Sequence, residues 1–335
     1  MPKALFVSVI QEPQVLSSRQ AITELIDFAK KSQNKVLFVQ IYRENKAWFP
    51  SKVGDSEPYD TCFKAVSEDP LELLIKKAHA EGIQVHAWLN LMSLSANENA
   101  PLLKKYGTEI LTRNIQEKHT LQDYKIDDQY FLEPGDLRVR EELATMVGEV
   151  VSRYPKLDGV QFDYIRYPDM HPYYGHTPMN EKRFKEAAGV KVILEESRVW
   201  KQWKRDQVTD LLKELAQKAR AIHPGIQVST TGLVSYDRAY FEGFQDWRSW
   251  LRHGPVDFVT LMCYTKDIEQ FKRQIQDAER RTDGLKRVNI AVGAYSLLET
   301  PDIFKKEFKL CEGSGARSCV TFHYGSLVEN PELAR

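Results

Sequence analysis

Eight short apolar runs, separated by amphipathic stretches, constrain this sequence more than any other feature. They lie at 4–10, 35–41, 83–90, 157–163, 226–231, 256–263, 287–293 and 317–323. Each is rich in Val, Ile, Leu or Phe, as expected of a strand buried on both faces. Stretches of helical periodicity separate them, at 18–32, 70–81, 137–153, 200–222, 244–252, 267–281 and 301–312. Over 137–153, Leu137, Val139, Leu143, Met146, Val147 and Val150 share one broad side, against Arg138, Arg140, Glu141, Glu142 and Glu149. Asp136 precedes that stretch as an N-cap, and Asp69-Pro70 opens 70–81 in the same way. Strands alternating with helices predict the α/β class. Here the pattern gives an eight-stranded parallel (β/α)8 TIM barrel. An open doubly wound sheet is the runner-up, but no GxGxxG loop follows the first strand. The last helix has only 325–335 to draw on, with Pro331 inside it, so weak closure is expected after the last strand.

The connections after strands 3 and 4, at 91–136 and 168–199, are long. Both leave the carboxyl ends of strands, the face where barrels of this kind do chemistry. No repeat or flexible linker interrupts the chain, so 1–335 reads as a single domain. Lys+Arg and Asp+Glu balance at 47 each, which gives no global field toward nucleic acid or an acidic membrane. No segment has the roughly 20 apolar residues of a membrane span. Met1-Pro2-Lys3-Ala4 leads straight into a strand, so no signal peptide is expected. Cys62, Cys263, Cys311 and Cys319 form neither a CxxC pair nor a zinc spacing, and Cys263 and Cys319 read as buried thiols.

The string Gly159-Val160-Gln161-Phe162-Asp163-Tyr164-Ile165-Arg166-Tyr167-Pro168 carries the clearest chemistry. Asp163 ends a buried strand, where a barrel keeps its catalytic groups; pairing with Arg166 is the plainer alternative. Asp158, at the strand entrance, reads as structural. Aromatics recur at the strand exits: Tyr42 and Trp48 after the second, Tyr164, Tyr236, Tyr264, Tyr295 and Tyr324 after the next ones, with Trp88 inside the third. Flat rings with polar tips suit a pyranose, although they also suit a capped barrel mouth. In His86-Ala87-Trp88-Leu89-Asn90, alternation places His86, Trp88 and Asn90 on one face, to orient hydroxyls. Glycoside hydrolysis normally takes two carboxyl groups. Asp267 is the first choice of partner for Asp163, then Asp237, then Glu44, and each reads equally as a cap or a solvated charge. His171 and His176, with Asp169, sit in an irregular Pro/Gly loop without metal-ligand spacing, so no metal and no cofactor is expected.

The Gly-Val-x-Phe-Asp-Tyr-Ile-Arg-Tyr-Pro pattern resembles the bacterial glycosyl-hydrolase-like family of TIM-barrel polysaccharide hydrolases, itself distantly similar to the α-amylase-like barrels. The likeness extends through Ala47-Trp48-Phe49-Pro50-Ser51, His86-Ala87-Trp88-Leu89-Asn90, Glu133-Pro134-Gly135, Trp203-Lys204-Arg205, Gln245-Asp246-Trp247 and Met262-Cys263-Tyr264-Thr265. It implies a barrel that acts on a glycan, with Asp163 as leading catalytic residue and Asn90, Arg166 and Tyr264 in the site. It also implies an exported or envelope setting. Tyr42, Glu44, Trp48, His86, Trp88, Tyr164, Tyr236, Tyr295 and Tyr324 complete the expected carbohydrate-binding set. A barrel that binds glycans without cleaving them is the alternative.

Overall fold

The computed structural model describes residues 1–115, 129–168 and 172–334. Eight parallel strands close on themselves: β1 (Lys3–Val7), β2 (Asn34–Arg43), β3 (Gln84–Asn90), β4 (Gly159–Asp163), β5 (Gln227–Leu233), β6 (Phe258–Cys263), β7 (Val288–Gly293) and β8 (Ser318–Phe322). Each pairs with the next in sequence, and β1 closes the ring by pairing with β8 through Ala4 and Val320 and with β2 through Ala4 and Val36. All eight runs seen in the sequence are strands, within a few residues at their ends. The expected weak closure is not found. β8 pairs on both sides, and the chain finds its last helix in α8, named below, ahead of Pro331.

The helices that follow the strands are α1 (Arg19–Lys31), α2 (Pro70–Ala80), α3 (Leu137–Arg153), α4 (Arg198–Ile222), α5 (Trp247–His253), α6 (Ile268–Thr282), α7 (Pro301–Glu312) and α8 (Tyr324–Glu329). Asp69 and Asp136 cap α2 and α3 by accepting backbone N–H groups, as the sequence suggested. Further helices at Glu57–Val66, Pro101–Tyr106, Pro178–Ala188 and Tyr236–Phe241 lie in the connections. The long connection after β3 also carries a short antiparallel pair, Ser93–Ser95 with Tyr130–Phe131.

The strands separate two cores. Outward residues and the helices form a large aliphatic shell. Inside the barrel, Ala4, Phe6, Phe38, Trp88, Phe258, Ala291 and Val320 form a smaller cluster. Phe6 sits among Phe38, Trp88 and Phe322, with ring centroids 4.9 to 5.4 Å away. This aromatic layer divides the interior into an upper end at the strand exits and a lower end at the strand entrances. One cysteine expectation is corrected: Cys319 is not a thiol but bonds Cys311, tying α7 to β8, while Cys263 is a buried free thiol.

Candidate active site

A cavity of about 330 Å³ opens at the strand exits, near the small end of the range typical for ligand pockets. Asp163 stands on its wall. Its carboxylate accepts from the Trp88 indole Nε1 at 2.9 Å, from its neighbour's backbone, Tyr164 N, at 2.8 Å, and from the Thr231 hydroxyl. The lateral register explains the first contact. Trp88 and Asp163 are inward residues of the adjacent strands β3 and β4, one step apart in height, and Asn90 lies directly beside Asp163. Three donors are well matched to the acceptor sites of an ionised carboxylate. Tyr164 turns away with φ near 60°, so the chain leaves the strand abruptly after Asp163.

A second network fixes Asn90. The backbone N–H of Val9 donates to Gln40 Oε1 at 3.2 Å, which identifies that atom as the amide oxygen. The Ser8 hydroxyl donates to the same atom at 2.8 Å. Gln40 Nε2 is therefore a donor, and it bonds Asn90 Oδ1 at 3.1 Å. The amide of Asn90 is thus set with its NH2 group toward the cavity, beside Asp163.

Tyr164, Tyr264 and Tyr295 line the same cavity with Phe322, as do Arg43, Arg166 and His323. Alternation along β6 carries Tyr264 inward, and Gly293 leaves the room its ring needs: a Cβ there would lie 3.0 Å from Tyr264 Cδ1. Tyr295 packs edge-on against Tyr264 at 5.6 Å. Burial, and secondarily the charge of Asp163, hold the Tyr264 phenol well above its ordinary pKa, so it acts as a neutral hydrogen-bonding group. Arg166 does not pair with Asp163. It lies over the Tyr164 ring at 4.8 Å and donates to the Tyr167 carbonyl at 3.2 Å.

The structure places other expected site residues elsewhere. A register shift between Gln40 and Tyr42 sets Tyr42 opposite Leu89, so Tyr42 points outward into the aliphatic shell and accepts from Asn45. Trp48 follows the two-residue strand Lys46–Ala47 and does not line the mouth; it sits beside Ser8, Val9 and Gln40, partly buried against the aliphatic shell. Glu44 occupies the turn between, paired with Arg43 at 2.9 Å. His86 is inward, but below the aromatic layer at the opposite end of the barrel. Tyr236 begins the helix Tyr236–Phe241, its ring edge-on to Trp247 and its hydroxyl donating to Asp246. Tyr324 is buried against Phe28, because β8 ends at Phe322 and a helix replaces strand alternation. Asp237 forms an exposed ion pair with Arg281. Asp267 is the N-cap of α6, accepting from Glu269 N and Gln270 N, and those bonds lower its pKa. It is an exposed anion bound to a helix end, which argues against the pairing with Asp163 expected of it.

Several mouth residues were missed, among them Arg43, Thr231, Phe322, His323 and Gln11. His323 follows β8 directly, and burial lowers its pKa to about 4, so its ring is neutral at ordinary pH. Gln11 comes from the loop after β1, and neither of its amide atoms has a partner. The position of His323 at a strand exit was the available signal; Gln11 lies four residues past the strand end, and nothing local marks it. His171 and Asp169 lie outside the described residues. His176 is accounted for without a metal. Burial opposes its charge, but hydrogen bonds to Glu195 and Glu181 outweigh burial and raise its pKa. No cluster of metal-binding side chains occurs among the described residues.

A closed (β/α)8 barrel with a carboxylate among aromatics at its strand exits is the arrangement of TIM-barrel glycosidases. Solved glycosidases share the fold. The catalytic domain of β-amylase from Paenibacillus polymyxa superposes with a TM-score of 0.64 at 11% identity, covering 99% of this chain and 94% of that one. α-L-Fucosidase isoenzyme 2 from Paenibacillus thiaminolyticus gives 0.68 at 14% identity, covering 100% and 48%. The profile of the Glycosyl hydrolase-like 10 family matches residues 4–307, and the chain belongs to that family. Among curated relatives, glycosyl hydrolase DigH of Escherichia coli K12 is 26% identical over 266 residues, 73% of this chain and 58% of that protein. Glycosyl hydrolase YngK of Bacillus subtilis is 24% identical over 271 residues, 75% and 50%. The chain thus spans about half the length of the curated relatives it matches.

Proposed function

We propose that the chain is a glycoside hydrolase acting on a polysaccharide or large oligosaccharide, with Asp163 as its ionised catalytic carboxylate. The observation that carries this reading is the setting of Asp163: held by three donors, at a strand exit, in a mouth walled by Tyr164, Tyr264, Tyr295 and Phe322. A carboxylate so placed stabilises the positive charge that develops at the anomeric carbon, as nucleophile or as base toward water. The aromatic wall stacks the sugar, while Asn90 and the neutral His323 hydrogen-bond its hydroxyls. None of the three partner carboxyls named from the sequence lines the mouth; Glu44 touches it only through its ion pair with Arg43, which suits it to hold Arg43 rather than to donate a proton. The Cys311–Cys319 bond suits an oxidising compartment, in keeping with an exported setting.

A glycan-binding barrel without turnover is the second reading. It is favoured by one observation: among the described residues that line the cavity, Asp163 is the single carboxylate, whereas hydrolysis normally takes two. A glycan panel assayed for reducing-end release separates the readings. Release that persists with chelator and falls at least about 10³-fold in Asp163→Asn supports the hydrolase. Saturable binding without release supports the second reading, and Asp163→Asn turnover near the parent rate removes Asp163 from catalysis.

A further inference from the structure

The lower end of the barrel interior is polar, where most such barrels stack branched aliphatics. His86, Gln161, Ser229, Thr260, Asn289 and Ser318 occupy inward positions there. A cavity of about 410 Å³ opens at the strand entrances, lined by His86, Asn289 and Ser318 of this set. His86 is 1% exposed, and neither ring nitrogen has a partner. Asn289 is also 1% exposed. The Thr260 hydroxyl donates to Gln161 Oε1 at 3.1 Å and accepts from Asn289 Nδ2 at 3.2 Å, so Asn289 Oδ1 is an unpartnered acceptor. Leaving such groups buried and unpaired costs roughly 1–3 kcal/mol each, so they call for hydrogen bonds from water or a ligand in the cavity.

The charges say what kind of occupant fits. Lys35 and Arg317 line the entrance, and neither is ion-paired among the described residues. Arg317 lies over Phe258 at 4.3 Å and donates to the neutral amide of Gln227. No carboxylate lines the cavity among the described residues. The acids nearby are engaged at strand entrances: Asp158 with His79 and Val85 N, Asp257 with Arg220 and Val228 N. Phe38 and Phe258 supply an apolar wall. The set is cationic at the rim, apolar at the side, and hydrogen-bonding within.

We propose that the amino end of the barrel is a second binding site, for a small hydroxycarboxylate. Its carboxylate would meet Arg317 and Lys35, its body would lie along Phe38 and Phe258, and its hydroxyl would donate to Asn289 Oδ1 beside His86. The proposal is independent of the reading of the mouth.

Three probes of one shape test it on the full chain: para-hydroxybenzoate, benzoate, which lacks the donor, and para-hydroxybenzamide, which lacks the charge. Titration should show one-to-one binding of para-hydroxybenzoate, with the His86 ring resonances moving at the same midpoint. Each analogue should bind about tenfold more weakly, as loss of one good polar contact implies. Arg317→Met should weaken para-hydroxybenzoate about tenfold or more; if that variant does not fold, Lys35→Met, on an exposed side chain, should weaken it severalfold. Unsaturable binding, equal affinity for all three probes, unmoved His86 resonances, or a high-resolution structure with only exchangeable water in the cavity would overturn the proposal.

Discussion

At the upper end of the barrel an anion, Asp163, has three donors around it, while Arg43, at the end of β2, and Arg166 line the same mouth. At the lower end the charged groups are cations, and the buried neutral groups beside them keep unpartnered atoms, both ring nitrogens of His86 and the Oδ1 of Asn289. The two ends use the same strands. On β3, His86 lies below the aromatic layer while Trp88 and Asn90 lie at and above it; on β4, Gly159 and Asp163 divide in the same way. Two residues, about 6.6 Å of strand, separate a partnerless imidazole from the shell around the carboxylate. The difference teaches that facing inward does not make a residue part of the site. Height in the barrel decides it. A carboxylate on the strand wall of an aromatic mouth suits a neutral sugar that becomes cationic as it reacts, and a base with cations and no carboxylate among the described residues suits an anion.

Acid should bring out the largest difference between the ends. Burial lowers the His86 pKa from 6.5 to about 4. Between those values the unfolded chain binds a proton that the native protein does not, so stability must fall as pH drops from 6.5 toward 4. The full effect is about 3 kcal/mol. His323, lowered similarly but only half-buried, should contribute less. Denaturant midpoints at neutral pH and near pH 4 should therefore differ less in His86→Phe than in the parent. An unchanged difference would mean that the base does not hold a desolvated imidazole.

The next effect tests why Gly159 opens β4. A Cβ at that position would lie 2.2 Å from His86 Nδ1 and 2.9 Å from the Gln227 carbonyl oxygen. Gly159→Ala should cost about 2–3 kcal/mol, as overpacking in a tight core does. Adding His86→Ala should recover part of that loss, because it removes the nearer contact. Additive losses in urea melts would show that the ring and the glycine do not constrain each other.

The barrel itself was legible because burial on both faces leaves continuous apolar runs, and Asp163 was legible because it interrupts one at its exit. Asn90 was legible for the same reason. What the sequence hid were changes of local geometry. The register shift after Gln40 turns Tyr42 outward, and the helix starting at Tyr324 ends the alternation that would have aimed its ring at the mouth. Asp267 carried both a catalytic and a capping reading, and two backbone N–H groups decide for the cap. His86 passed the alternation test and failed on height, which no periodicity reports. The disulfide joins cysteines 8 residues apart in a helix and a strand, a pairing visible only in space.

Gln40 sharpens the account of the upper end. Gln40→Glu keeps an acceptor for Ser8 and Val9 but turns an oxygen toward Asn90 Oδ1, so the Asn90 amide must flip and present its own oxygen to the cavity. Glycan affinity, or the specificity constant if turnover is found, should fall about tenfold with little loss of melting temperature. Asn90→Ala should then add little further loss on top of Gln40→Glu. Full additivity would mean that Gln40 acts on something other than the Asn90 amide.

The smallest effect concerns the aromatic wall. Tyr295 is 45% exposed, and its contacts are the edges of Tyr264 and Phe322 rather than the barrel's aliphatic shell. Removing it leaves the fold its other contacts but takes away one stacking face. Tyr295→Ala should weaken glycan binding by about 1 kcal/mol, close to fivefold, with a melting temperature near the parent's. Tyr324→Ala is the matched control, since that ring is buried against Phe28 on the outside of the barrel. It should lower the melting temperature and leave the affinity of the folded fraction unchanged. If Tyr295→Ala melts early and binds glycan as well as the parent does, the ring belongs to the packing. The sugar platform then reduces to Tyr164 and Tyr264, the two tyrosines nearest in sequence to the ends of β4 and β6.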